Sequence, residues 1–497
     1  MGTFESIAMG FSVALQPGNL FFCFVGTVLG TLVGVLPGLG PVAAISLLLP
    51  ATFKMPAVTG IIMLAGIFYG AMYGGSTTSI LVNIPGESAS VITCLDGYRM
   101  ARNGRAGPAL GIAAIGSFIG GTFSVFMLMF LAPVLGRVAL RFGPPEFFSL
   151  MILGLTILTY LSKGSIIKAL IMAVAGLFVG CIGMDPITGE QRFTYRSDTL
   201  MDGVGLIPIA MGMFGVAEVL TNLETVIKQE VSESKIRHIW PTWRDWLDSR
   251  WAIVRGSILG FFLGILPGPS ATIAAFASYA LEKKISRHPE KFGTGTIEGV
   301  AGPETANNAA VGGAFIPLLS LGIPANIVMA LFMGTLMIHG IQPGPLFISQ
   351  NPELFWGVMT SMYIGNGMLL ILNLPLIGIW VKILKIPYHL LFPLILLFCL
   401  IGVYSLNNNR TEILVMLIFG FVGYLMRKFE YEGAPFLLAL VLGPLMENNL
   451  RESLLISKGS FSIFINRPIS AVILACALAM VLSSSYHGLK KLRTALD

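Results

Sequence analysis

The sequence predicts an all-α polytopic membrane protein, built as an inverted structural repeat with re-entrant helical hairpins. Composition is the first reason, because 55% of the 497 residues are hydrophobic and only 11% are charged, whereas an average soluble domain is about 25% charged. Several stretches lack Asp, Glu, Lys and Arg and exceed the roughly 20 residues that a spanning helix needs. They include 6–53, 55–86, 106–136, 305–352 and 354–381. We expect about 11 to 13 spanning segments, which excludes an ordinary soluble enzyme.

An internal repeat is the second observation. Segment 29–38 (LGTLVGVLPG) and segment 259–268 (LGFFLGILPG) are identical at six of ten positions, and later landmarks follow in the same order, with NIP at 83–85 matching GIP at 322–324. Matched landmarks in one order favour duplication, because chance similarity would not keep their spacing. The predicted division is a first repeat (1–225), a cytoplasmic linker (226–251), a second repeat (252–455), and an extra C-terminal helix with a cytoplasmic tail (456–497).

The basic residues predict that the two repeats have opposite orientations, since Lys and Arg concentrate in cytoplasmic loops. In the loop that follows the broken NIP or GIP segment, half one has Arg99, Arg102 and Arg105, but half two has no basic residue over 341–352. In the loop that follows the hairpin marked by the LPG landmark, the bias is reversed. There, half one has only Lys54, whereas half two has Lys283, Lys284, Arg287 and Lys291. The resulting topology has a periplasmic N-terminus and a cytoplasmic C-terminus.

A helix is predicted near 57–74 and a broken stretch near 76–95. The first candidate binding segment is 73–88 (YGGSTTSILVNIPGES), where hydroxyls and an amide precede a Pro-Gly break. A helix that restarts at bilayer depth exposes N–H groups, and its N-terminus carries about +0.5 charge, which suits a carboxylate. Such a site avoids an arginine at the bilayer centre, which costs about 2.5–3.5 kcal/mol or more. The alternative is that these small residues only allow close helix packing. The predicted substrate-binding residues are Gly75, Ser76, Thr77, Thr78, Asn83, Pro85 and Gly86.

The second half offers a matching polar segment at 301–315, followed by LSLGIPAN at 319–326. A break is predicted near 323–339. Glu304 stands in its densest polar cluster. The adjacent amides of Asn307 and Asn308 offer both donors and acceptors, so they could hold a substrate carboxylate or help to bind sodium. A helix-capping role is the alternative. The predicted substrate-binding residues here are Thr305, Asn307, Asn308, Pro324 and Asn326, and the candidate sodium position is near Asn307 and Asn308.

Two LPG turns predict the tips of the re-entrant hairpins, at Pro37 with Gly38 and at Pro267 with Gly268. Proline stops the incoming helix and glycine permits the reversal. Hairpin closure and direct contact with the substrate are both open for these residues. His339, beside a glycine, is the one histidine to test for proton coupling, with a structural role as the alternative.

The chain resembles the TctA family, the large membrane subunit of the tripartite tricarboxylate transporters. The resemblance lies in GVLPGLGP (34–41), YGGSTTSILVNIPGE (73–87), DGYRMARNGRAGPAL (96–110), GPETANNAA (302–310) and SLGIPAN (320–326). It extends over about residues 10–470 and predicts secondary active uptake of a tricarboxylate such as citrate, or a related organic acid, driven by a sodium or proton gradient. It also implies two partners, a small four-helix membrane subunit and a periplasmic substrate-binding protein, in a bacterial inner membrane.

Neither a cofactor nor a nucleic-acid partner is expected, because the cysteines form no CxxC pair and the basic residues form no groove-sized patch. Alternating access, of elevator or rocking type, is the expected mechanism of an inverted repeat. The first rival is a subunit of an ATP-driven importer, although the phosphate-cradling GxxxxGK[ST] motif is absent from this chain. An intramembrane hydrolase would want a histidine base or HExxH, and the five histidines are scattered without it. A channel is disfavoured because this sequence contains no charged or carbonyl-ring filter motif.

Overall fold

A computed structural model describes residues 2–36, 40–161, 165–185, 187–224, 239–384 and 391–496. These residues are mostly α-helical, and the only strands among them are β1 (Gly183–Met184) and β2 (Gln191–Arg192), which pair antiparallel.

The helices of the first half are α1 (Thr3–Ala14), α2 (Pro17–Val35), α3 (Gly40–Thr52), α4 (Ala57–Val82), α5 (Thr93–Met100), α6 (Ala106–Ala139), α7 (Pro144–Leu161), α8 (Ile166–Gly180), α9 (Leu206–Ala210) and α10 (Ala217–Glu224). Two π-helical turns, Ala101–Arg105 and Met211–Val216, join α5 to α6 and α9 to α10. Short 3₁₀ turns form at Ser88–Val91 and Asp198–Leu200.

The helices of the second half are α11 (Trp243–Ile265), α12 (Ser270–Ile285), α13 (Glu298–Leu321), α14 (Ile327–Ile338), α15 (Phe347–Gln350), α16 (Pro352–Asn373), α17 (Ile377–Ile383), α18 (Leu391–Asn407), α19 (Arg410–Lys428), α20 (Gly433–Ile456), α21 (Ile463–Asn466) and α22 (Pro468–Leu496). A 3₁₀ turn at Pro289–Lys291 lies between α12 and α13.

Several of these helices have the length and composition of membrane spans. Among the described residues, six helical segments are long and apolar enough to cross a bilayer, and six shorter helices are also apolar. The prediction of an all-α polytopic membrane protein is therefore confirmed. The number of spans, the division into repeats and the orientation of the termini stay predictions.

Glycine stripes bring helices into backbone contact in the same way in both halves. Gly26, Gly30 and Gly34 of α2 lie against the backbone of α4. At matching positions of α11, Gly256, Gly260 and Gly264 lie against the backbone of α13. Without a hydrophobic driving force between helices in lipid, such small-residue stripes allow the close van der Waals packing that holds them together. The two glycine stripes make α4 and α13 the central helices of their halves.

The structure differs from the sequence prediction at both predicted breaks. The helix predicted to end near residue 74 continues as α4 to Val82, so the hydroxyls of Ser76 to Thr78 lie inside a helix. In half two the break is confined to 322–326, and α14 begins at Ile327. Successive small residues of α4 pack closely against α2, and this contact supports a continuous helix where the sequence alone suggested an interruption.

Part of the predicted linker is also helical. Its segment 226–238 lies outside the described residues, but α11 begins at Trp243, earlier than the predicted span near 252. A capping box starts this helix, in which Thr242 Oγ1 accepts a hydrogen bond from Asp245 N at 3.2 Å and Asp245 Oδ2 accepts one from Thr242 N at 3.0 Å. The Thr-x-x-Asp pattern is visible in the sequence and could have placed this start.

The glycine stripes lead to a stability prediction. Gly30→Ala or Gly260→Ala places a methyl group less than 3.0 Å from the facing backbone, and the helices must separate to relieve it. Overpacking of this kind costs about 1–3 kcal/mol, so we expect a lower melting temperature of the purified protein in detergent. Gly367→Ala, at a helical glycine with open space around it, is the matched control and should keep or raise the melting temperature. Equal melting of the three variants would contradict the packing account.

Candidate functional site

A cavity of about 520 Å³ lies where the interruptions of both halves meet. Four segments contribute to its wall: the start of α3 at Gly40, the break at 85–88, the hairpin tip at 268–272, and the start of α14 at 326–328. Later helices of each half also line the cavity, through Leu158, Phe214, Glu218, Arg427 and Leu438. The cavity is therefore lined both by the interrupted segments and by residues of α7, α10, α19 and α20.

The break of half one is fixed by close backbone packing. Asn83 ends α4 in the left-handed conformation, with φ 60°, and the chain restarts at Ser88 as a 3₁₀ turn. Gly86 is required between them, since a Cβ there would collide with the Gly34 carbonyl and with Gly75. This contact ties the break to the end of α2, and it exposes Glu87 and Ser88 to the cavity.

The break of half two has the same plan. Gly322 ends α13 in the left-handed conformation, with φ 70°, and Asn326 caps α14 by accepting a hydrogen bond from Met329 N at 3.0 Å. The hairpin tip packs onto this break, because Gly268 N donates to the Ala325 carbonyl at 2.8 Å. A hydrogen bond across the halves, between Ser88 Oγ and Thr272 Oγ1 at 2.9 Å, joins the two sides of the cavity wall.

Three helix N-termini point to anion binding in this cavity. The first residues of α3 and α12, together with Asn326 and Ile327 at the start of α14, line its wall. First-turn N–H groups lack intrahelical partners and carry a partial positive charge, which favours a carboxylate. Ser270 Oγ is buried there without a hydrogen-bond partner among the described residues. An oxygen of a bound ligand could accept a hydrogen bond from this hydroxyl.

The charged groups of the cavity were missed at the sequence level. Glu87 is buried and lines the wall. Its Oε2 accepts from Ala89 N at 2.6 Å, whereas its Oε1 has no partner among the described residues. Arg427 and Glu218, which also line the cavity, form an ion pair with each other. Glu87 directly follows the uncharged run 55–86. Its position at the end of this polar, interrupted segment could have indicated that it lies at the cavity.

The predicted site residues divide into two groups. Pro85, Gly86, Gly268 and Asn326 line the cavity. The others among the described residues do not line it, and Asn83 is exposed at the end of α4. That second group is Gly75, Ser76, Thr77, Thr78, Asn83, Pro267, Thr305, Asn307, Asn308 and Pro324. Pro37 and Gly38, the predicted tip of the first hairpin, lie outside the described residues.

Several of the remaining predicted residues form a second, deeper polar cluster. Ser76 and Thr93 donate hydrogen bonds to the carboxylate of Glu304, and Asn307 Nδ2 donates to it at 3.2 Å. Asn308 Nδ2 donates to Ser117 Oγ at 2.8 Å. This cluster joins α4 and α5 to α13 and α6, so polar residues of the two halves do meet, although behind the cavity wall.

Some predicted residues have local structural roles. Thr305 Oγ1 donates to the Ala301 carbonyl of its own helix at 2.7 Å, and Thr78 Oγ1 donates to the Val35 carbonyl at 2.7 Å. His339 caps the C-terminal end of α14, about 18 Å along that helix from the cavity.

Comparison with known proteins identifies the family. The model of the tripartite tricarboxylate transporter TctA family matches residues 20–438. This chain belongs to that family. The resemblance seen in the sequence motifs is thereby confirmed, and the chain is a transporter membrane subunit that acts with partner components.

Relatives of this TctA protein are found in a bacterium and an archaeon. The uncharacterized 52.8 kDa protein of the TAR-I ttuC' 3' region in Agrobacterium vitis is 50% identical over 99% of this chain and 98% of its own length. A second Agrobacterium vitis protein, from the TAR-II ttuC' 3' region, is 50% identical over 47% of this chain and 97% of its own. An uncharacterized protein of Methanocaldococcus jannaschii is 24% identical over 55% of this chain and 63% of its own. No solved structure matches.

The cavity leads to an accessibility prediction. In a variant without the native cysteines, Ser270→Cys should react with a small, water-soluble thiol reagent, because Ser270 lines the cavity. Ser278→Cys, two turns further along α12 and also buried, is the matched control and should react far more slowly. The measurement is the labelled fraction against time by mass spectrometry. Equal labelling of both positions would contradict the cavity at this helix start.

Proposed function

We propose that this TctA chain carries a tricarboxylate such as citrate, or a related organic acid, across the bacterial inner membrane by secondary active uptake. The observation that carries the proposal is the cavity at which interrupted segments of both halves and three helix N-termini converge. Its volume falls within the range of about 300–1,000 Å³ typical of small-molecule sites.

The chemistry of the wall favours an anion held by neutral donors. First-turn N–H groups and the Ser270 hydroxyl are donors, and backbone dipoles stabilise a carboxylate without the burial of an isolated cation. Arg427, which also lines the cavity, adds one positive charge that is paired with Glu218. A substrate with several carboxylates could contact both the helix N-termini and Arg427, which would explain a preference for polyvalent acids.

Glu87 supports coupling to a cation. An ionised carboxylate beside a bound anion repels it, and both are poorly solvated inside the protein. A proton or sodium ion taken up with the substrate would remove this repulsion. Cation and substrate would then bind together more tightly than either binds alone, which is the requirement for symport.

The walls of the cavity also suggest how access alternates. The interrupted segments line the cavity together with residues of α7, α10, α19 and α20. A displacement of the first group against the second, by an elevator or a rocking motion, would open the cavity to each side in turn. In this proposal a periplasmic binding protein delivers the substrate, and a small four-helix membrane subunit completes the transporter. The N-terminus lies in the periplasm and the C-terminus in the cytoplasm.

The two rival functions gain less support. A hydrolase would need a nucleophile that its substrate can reach, but Ser76 is buried and does not line the cavity. Within the described part of the chain no histidine lines the cavity either. An ATP-driven importer would require a separate ATPase.

The test is uptake of radiolabelled citrate into proteoliposomes that contain this chain, the small membrane subunit and the binding protein. We expect accumulation under an imposed sodium or proton gradient without ATP. Accumulation that depends on ATP and persists after both gradients are collapsed would favour the ATP-driven importer. Absence of uptake for citrate and a panel of other organic acids under every condition would contradict the proposal.

Removal of the Glu87 charge gives a sharper prediction. Glu87→Gln keeps the size of the side chain but cannot be neutralised by a cation, so gradient-driven accumulation should fall by about tenfold or more. The readout is the accumulation ratio at fixed gradient. Asn83→Gly is the matched control, because Asn83 is exposed outside the cavity and glycine accepts its left-handed conformation. An unchanged accumulation ratio in Glu87→Gln would remove Glu87 from coupling.

A further inference from the structure

Glu304 is an uncompensated carboxylate at the centre of the protein. It is fully buried in α13, and its hydrogen-bond donors are the neutral side chains of Ser76, Thr93 and Asn307. None of the ion pairs found among the described residues includes it. Burial of a charge is costly unless the charge is paired. Neutral donors reduce that cost, and a cation nearby would remove most of it.

A small void lies beside Ser76, which donates a hydrogen bond to this carboxylate. Its volume is about 10 Å³, which is about the room that one water molecule needs and enough for a dehydrated small cation. Residues of α4, α6 and α16 enclose it. The polar ones are Tyr73, Ser76, Thr77, Ser117 and Asn373.

Asn373 carries the signal that something binds there. Its side chain is 3% exposed and lines the void. Its Nδ2 donates to the Leu369 carbonyl at 3.0 Å, and only the amide nitrogen can make that bond. The other atom is therefore the oxygen Oδ1, which is buried and has no partner among the described residues. A buried amide oxygen without a partner requires a donor or a cation.

The remaining groups around the void also favour a cation. The Ser76 hydroxyl directs its hydrogen to Glu304, so its lone pairs are available on other sides. Ser117 Oγ accepts from Asn308 Nδ2 and is directed to the Glu304 carbonyl at 3.4 Å. Asn373 is the last residue of the 22-residue helix α16, and the C-terminal end of a helix carries a partial negative charge. Oxygen ligands and negative potential are typical of hard-cation sites.

We propose that this void binds a sodium ion, with Asn373 Oδ1, Ser76 Oγ and Thr77 Oγ1 as ligands and Glu304 as the charge that neutralises it. The sequence predicts a sodium position near Asn307 and Asn308. These amides donate hydrogen bonds to Glu304 and to Ser117. The proposed ligands lie on the neighbouring helices α4 and α16.

The void and the substrate cavity are linked through two successive residues of α4. Ser76 faces Glu304, and its neighbour Gly75 faces Glu87, since a Cβ at Gly75 would lie 2.9 Å from Glu87 Cγ. A cation in the void would fix the turn of α4 against which Glu87 packs. The inference rests on the proposed function for its role as a coupling site, but sodium binding can be measured without transport.

The test uses the full chain purified in lipid nanodiscs, with its melting temperature titrated with sodium chloride against potassium chloride at constant ionic strength. A ligand of the folded state raises the melting temperature in proportion to its occupancy. We expect stabilisation by sodium over potassium in the native chain. Asn373→Leu and Glu304→Gln should need about tenfold more sodium or more for the same effect. Thr77→Val, which keeps the side-chain shape, is a second ligand variant in case Asn373→Leu does not fold.

Ser361→Ala is the matched control, because Ser361 is buried in the same helix as Asn373 and its hydroxyl is bonded to the Val358 carbonyl. It should respond to sodium like the native chain. Equal effects of sodium and potassium on the native chain would show that the void holds only water and would overturn the inference. So would an unchanged sodium response in all three site variants.

The two proposals fail separately. Citrate uptake driven by a proton gradient and indifferent to sodium would keep the proposed function and overturn the sodium site. Sodium binding with the expected variant pattern, without uptake of any carboxylate, would support the site and contradict the function.

Discussion

A helix that stops inside a membrane leaves peptide groups without partners, and lipid cannot supply them. This protein satisfies that constraint with close backbone contacts. Gly86 packs into the space between Gly34 and Gly75, and Gly268 donates to the carbonyl of Ala325. The glycine stripes of α2 and α11 bring the surrounding helices near enough for such contacts. The cavity exists because the breaks are stabilised on their protein side and left open on the other.

Charge is distributed according to the same constraint. The cavity offers helix N-termini on one wall, and its one arginine is already paired. Two buried carboxyls lie next to successive residues of α4, because Glu87 packs against Gly75 and Glu304 accepts a hydrogen bond from Ser76. In the proposed mechanism, an anion and a cation would therefore bind beside adjacent residues of one helix. Opposite charges at that separation would stabilise each other in a medium of low dielectric constant, and this is a direct physical route to coupled transport.

Much of the fold could be predicted from the sequence. Uncharged runs longer than a bilayer is thick can only be helical in lipid, so the polytopic class followed from composition. The sequence also predicts spans near 18–36, 146–161 and 434–449, and their starts lie within two residues of the helix starts at Pro17, Pro144 and Gly433. The start of α11 was missed because its first turns are polar, and the capping box at Thr242 was not used.

The sequence by itself determined the class of protein, the family, and which segments are polar and broken, because these depend on local composition and on motifs. Four residues that it predicts for the same local reason, Pro85, Gly86, Gly268 and Asn326, line the candidate cavity. Only the tertiary structure decided that Ser76 faces Glu304, that Ser88 meets Thr272 across the halves, and that Asn373 is left with an unpartnered oxygen. These contacts join residues far apart in the chain, and their partners depend on how whole helices pack, which no local pattern records.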